Sequence, residues 1–154
     1  MAEFNHWQIV DLLNRDIQQL WLMGCDLSRI NLSRANLEGA VLEGANLTGS
    51  NLARANLRGA NLEGANLTNV NLGGADMRGA NLYGAKLIRA NLSGAKLEQA
   101  NLFRAVLADA NLSGANLFGA NLRQADISSA RLEGVLWSGA VLPDGTVGMK
   151  KQKK

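Results

Sequence analysis

One period governs this chain, and it belongs to neither helix nor strand. "ANLEGANL" occupies residues 60 to 67, with near-copies around it, so Ala, Asn and Leu return every five residues. Five residues of α-helix advance about 500°, which would carry successive Leu around the whole circumference and leave no buried face. In a flat strand an odd period sends Leu37 and Leu42 to opposite sides. The backbone must turn a corner in every repeat.

With the Leu as centre, the register runs through 24 consecutive pentapeptides, residues 25 to 144. Leu fills 21 centres, and the exceptions, Met77, Ile127 and Trp137, are apolar, so the site reads as interior. Two residues earlier Ala holds 19 of the 24 sites, with Cys25, Ile30, Ser50, Val70 and Val135 in the others. Residues two apart on an extended segment point the same way, so Ala60 and Leu62 are expected to face inward and Asn61 outward. Asn or Asp dominates that outward site, where a short polar side chain can bond nearby backbone or its copy in the next coil. Gly takes the last place in 13 of 24 repeats. Arg, Gln, Asn, Asp and Ser fill the rest, so positive φ is not expected at every corner.

Short sides joined by corners, with one interior stripe, make an all-β solenoid around a Leu and Ala core. The run A(N/D)LxG, as in "ANLRGANLEGANL" at 55 to 67, resembles the pentapeptide-repeat proteins across about four-fifths of the chain. The resemblance implies a right-handed four-sided β-helix with four pentapeptides per coil. That makes about six coils, and at about 4.8 Å per coil a rod roughly 29 Å long.

The expected organisation is an N-terminal cap at 1–24, the solenoid at 25–144 and a basic, disordered tail at 145–154. Val10, Leu13, Ile17, Leu20 and Trp21 recur at helical spacing within residues 5 to 23, and Asn5 and Gln8 are placed like a capping box. A helical lid over the first coil is expected. At the other end Pro143 removes a donor, and Asp144-Gly145 is turn chemistry. The start has no basic segment followed by an apolar stretch, and no apolar run approaches the roughly 20 residues of a membrane span, so a cytoplasmic protein is expected.

The inventory for catalysis is poor. His6 is the single histidine and lies outside the repeats, and Cys25, also single, takes an inward Ala-type site. There is no zinc-ligand pairing, no triad and no phosphate loop, so neither an enzyme nor a bound cofactor nor a small-molecule substrate is expected. Glu38, Glu43 and Glu63 gather near one end and read as a solvated acidic patch rather than a metal site.

The outer surface is left to carry function. With four sides, residues 20 apart stack, so one column reads Glu43, Glu63, Tyr83, Phe103, Arg123 and the neighbouring one Glu38, Arg58, Arg78, Glu98, Phe118. Tyr83 and Phe103, with Phe118 around a corner and Leu136 joining them, are the candidate partner contact. The leading expectation is a scaffold or protein-interaction rod with an unidentified protein partner, and a homodimer is one form of it. Some members of the resembled family bind type II topoisomerases as DNA mimics, which implies a modulator of DNA gyrase as the alternative. That mimicry requires an acidic surface, and residues 25 to 144 hold eleven Lys and Arg against ten Asp and Glu, about +1. Lys150, Lys151, Lys153 and Lys154 allow weak contact with nucleic acid or an anionic membrane. Proteins of the resembled kind are abundant in cyanobacteria.

Overall fold

In the computed structural model, which describes residues 20–149, the chain winds into a four-sided coil that repeats every 20 residues. Twenty-one parallel bridges join residue i to residue i+20, from Trp21 with Val41 to Asn121 with Val141. Each side is therefore one paired residue wide. The faces are numbered by their central residues: the first holds 22, 42 and on to 142, the second 27 to 127, the third 32 to 132 and the fourth 37 to 137.

One pentapeptide, Ala60–Gly64, shows why five residues suffice. The Ala60 N–H closes a turn on the Leu57 carbonyl at 3.1 Å, the Asn61 N–H reaches back one coil to Ala40 at 2.9 Å, and the Leu62 N–H reaches forward to Asn81 at 2.7 Å. The Gly64 N–H donates to Tyr83 at 2.9 Å, and the Glu63 N–H, pointing away from both neighbouring coils, donates to Oδ1 of Asn61 at 3.2 Å. Every backbone donor is satisfied. A short side-chain acceptor two residues back serves the fourth N–H, and this favours Asn or Asp at the bridging site. Where that site holds Val141 the residue two on is Pro143, which has no N–H to satisfy.

The same Asn side chains bond vertically. On the third face Nδ2 of Asn51, Asn71 and Asn91 each donates to Oδ1 of the Asn one coil earlier, at 3.2, 3.2 and 3.0 Å. The interior is as expected: Ala60, Leu62, Ala80 and Leu82 are wholly buried, and Met77 fills a Leu site without exposure. Ser50, in an Ala site, satisfies its buried hydroxyl on the Leu47 carbonyl at 2.7 Å.

Three expectations are corrected. Positive φ is obligatory after all: each corner residue from Gly24 to Gly139 has φ between 54° and 72°, ten of them not glycine. The turn from central residue to next Ala needs φ above zero at its third residue whatever sits there. At most corners a Cβ meets open space, so the cost to Arg29, Arg54 or Arg89 is conformational rather than steric crowding, about 1–2 kcal/mol each. The solenoid also starts one pentapeptide earlier than residue 25. Residues 20–23, expected to end a helix, form the first side, with Trp21 bridged to Val41 and Leu22 buried. The remainder of the expected helical cap lies outside the described residues.

Finally, residues 145–149 are no loose tail. Gly145 turns the chain with φ 87°, and Val147 pairs antiparallel with Val141. Gly148 then accepts the Gly139 N–H at 2.9 Å, in the position a seventh coil would occupy. A side chain at 148 would strike the Trp137 carbonyl, so the closure needs glycine. Lys150 to Lys154 lie outside the described residues.

Candidate functional site

The four predicted contact residues separate into two groups. Tyr83 and Phe103, vertical neighbours on the first face, stack with ring centroids 5.7 Å apart and planes 15° apart, each half-buried. Arg104 places its guanidinium carbon 5.2 Å from the Phe103 centroid and is held by its Nε–H bond to Gln124 at 2.8 Å. These rings are engaged with their own neighbours.

Phe118 and Leu136 are not engaged in that way. They stand 49% and 58% exposed on the fourth face and line an open groove of about 510 Å³. Val135, Trp137 and Met149 complete its apolar wall, with Glu98, Asn116 and Ser138 as polar members. Neither Tyr83 nor Phe103 is among the lining residues. Leu136 occupies a bridging site that Asn or Asp fills in most pentapeptides, so the last coil of the fourth face presents an aliphatic side chain where a polar one is usual. Trp137, at a central site that the register reads as interior, is half-buried and belongs to this wall. Met149 arrives only through the antiparallel closure, which no repeat pattern announces.

Glu98 carries no signal in the sequence beyond its place in a column of mixed charge. Its Oε1 accepts the Asn116 Nδ2–H at 2.7 Å, the bond that Glu38 makes with Asn56 at 3.0 Å and Glu63 with Asn81 at 3.1 Å. In these pairs the glutamates extend the Asn ladder. Among the described residues no group of His, Cys, Asp and Glu is arranged to hold a metal. The second oxygen of Glu98, Oε2, is buried without a hydrogen-bond partner among the described residues. Arg78, one coil below, is committed elsewhere: its Nε–H donates to Oδ1 of Asp76 at 2.8 Å. That bond, foremost, holds the Asp76 carboxyl below its ordinary value. Among the described residues no helix is long and apolar enough to cross a membrane.

The comparisons agree with this architecture. The family model for pentapeptide repeats matches residues 25–64, 65–102 and 100–139. No curated protein matches the chain in sequence. Among solved structures, the chain is similar to HetL, a pentapeptide repeat protein involved in heterocyst differentiation regulation from the cyanobacterium Nostoc sp. strain PCC 7120. The identity is 36% over 83% of this chain and 72% of HetL, with a TM-score of 0.52. It is also similar to Rfr23 from the cyanobacterium Cyanothece 51142, at 30% identity over 80% of this chain and 88% of that one, TM-score 0.35. The plasmid-mediated fluoroquinolone resistance protein QnrB1 matches at 24% identity over 79% of this chain and 66% of its own, TM-score 0.45. With its five-residue register, its 20-residue coil and the family match over most of its length, this chain belongs to the pentapeptide-repeat family, whose fold is the right-handed quadrilateral β-helix.

Proposed function

We propose that this chain is a non-enzymatic protein-interaction rod that docks a protein partner in the groove on its fourth face. One observation carries the reading. Phe118 and Leu136 are exposed around an open groove of about 510 Å³, on a rod whose other outer sites are mostly Asn, Ser, Thr, Gly and charged residues. A water-facing Leu gains nothing for the coil, while an aromatic and an aliphatic side chain at a groove are the usual anchors of an interface. The likeness to HetL, which is involved in regulating differentiation, supports a regulatory role over a purely structural one. The scarcity of catalytic residue types in the sequence supports the non-enzymatic part.

The test is quantitative affinity capture from cells, comparing the wild type with a Phe118→Ser/Leu136→Ser double variant of unchanged circular dichroism. A protein enriched by the wild type and lost by the variant is expected. Equal recovery of every captured protein by both would overturn the reading.

A further inference from the structure

The groove is apolar on its walls, yet its polar end holds a carboxylate oxygen with no donor. Glu98 is anchored through Oε1 by Asn116, while Oε2 is buried without a partner among the described residues. Such a group is costly in a folded protein unless something supplies a hydrogen bond. The nearest cation by register, Arg78, gives its hydrogen bonds to Asp76, although the Glu98 charge also helps hold its guanidinium protonated. Lys96, two residues before Glu98, is exposed at the bridging site. Phe118 stands one coil above Glu98 in the same column and is 49% exposed.

Resting on the docking reading above, we infer that the partner inserts a lysine or arginine side chain, flanked by apolar residues, whose cationic head meets Oε2 of Glu98 once the Phe118 ring moves aside. The charge is complementary, and the apolar stem of such a side chain lies against Leu136, Trp137 and Met149. Arginine suits the site best, because its flat guanidinium also packs against the Phe118 ring. Asn116 keeps the carboxylate fixed, so little order is lost when the donor arrives.

The probe is a pair of peptides, acetyl-Leu-Arg-Leu-amide and its twin with neutral citrulline in place of arginine, titrated against full-length protein and followed by NMR at Phe118, Leu136 and Trp137. The arginine peptide should bind about tenfold more tightly than the citrulline peptide. In Glu98→Gln, which keeps an acceptor for Asn116, the preference should shrink to about twofold or less. Equal binding of the two peptides by the wild type, or a preference unchanged in Glu98→Gln, would overturn the inference while leaving an apolar docking groove intact. Absence of shifts with either peptide would overturn both. A wild-type dimer by light scattering that becomes monomeric in Phe118→Ser/Leu136→Ser would assign the groove to a second copy and overturn the foreign partner. Tighter arginine binding after Lys150→Gln with Lys151→Gln would assign it to the chain's own lysines, with the same consequence.

Discussion

Asn71 accepts at its Oδ1 the Nδ2–H of Asn91, one coil further on, at 3.0 Å, while the same oxygen takes the Gly73 N–H at 3.1 Å. Its own Nδ2 donates back to Asn51 at 3.2 Å. One side chain thus closes a turn and ties three coils together. Asn71→Ala should cost about 1–2 kcal/mol, since it leaves partners above, below and within its own turn unmatched. Lys86→Ala, at the same register on the second face but with no such rung, should fall within about 0.5 kcal/mol. Urea unfolding of the two variants checks this, and equal costs would show that the ladder is ornamental.

The corners offer a second comparison. Arg89 holds φ 55° at a corner place that glycine fills in 13 of the 24 pentapeptides, and Gly64 holds φ 62° with open space where a Cβ would project. Arg89→Gly should raise stability by about 0.5–1 kcal/mol and Gly64→Ala should lower it by about as much. Opposite signs are the content of the prediction. Destabilisation in both variants would mean that the Arg89 side chain contributes more than its backbone costs.

Core substitutions should depend on distance from the end. Leu82 is wholly buried, whereas Leu132 in the last coil is half-buried. Leu82→Ala should cost about 2–5 kcal/mol by leaving a cavity, and Leu132→Ala about half of that or less. Denaturant midpoints of the two proteins decide it.

Much of this was legible because a strict period leaves few solutions. The inward places of Ala60 and Leu62 follow from the two-residue spacing alone, and stacking at 20 residues follows once four sides are granted. The φ of Arg54 was not legible. Sequence shows which residue a corner tolerates, not what the turn imposes, and open space beyond the Cβ lets arginine accept a strained backbone. Phe118 and Leu136 stood out as apolar residues at outward sites. The corner that parts them from Tyr83 and Phe103 follows from the register, but the groove also depends on Met149 folding back, which has no periodic signature.

Acid should act through the aspartates. The Asp76 carboxyl is held below its ordinary 3.8 chiefly by the Arg78 hydrogen bond, and Asp26 is lowered chiefly by the Ser28 N–H. A folded-state pKa below the unfolded one means that the unfolded chain takes up protons first as pH falls. The stability these groups contribute is therefore present in full above about pH 5 and is lost as pH falls through the lowered values. Asp76→Asn should be less stable than wild type at pH 6, and the gap should close by about pH 2. A gap that stays constant from pH 6 to pH 2 would show that the carboxylate charge is irrelevant.

The division of the aromatic residues is open to the most direct measurement, because it needs no partner. Residues kept for docking should contribute little to folding, while rings that shield each other should contribute measurably. Urea unfolding would be compared for Phe118→Ser/Leu136→Ser, altering side chains 49% and 58% exposed, and Tyr83→Ala/Phe103→Ala, altering the stack at 5.7 Å. The groove variant should stay within about 0.5 kcal/mol of wild type and the stack variant should lose about 1–3 kcal/mol. A groove variant that loses as much as the stack variant would make Phe118 and Leu136 part of the fold's own support and contradict a surface kept for a partner.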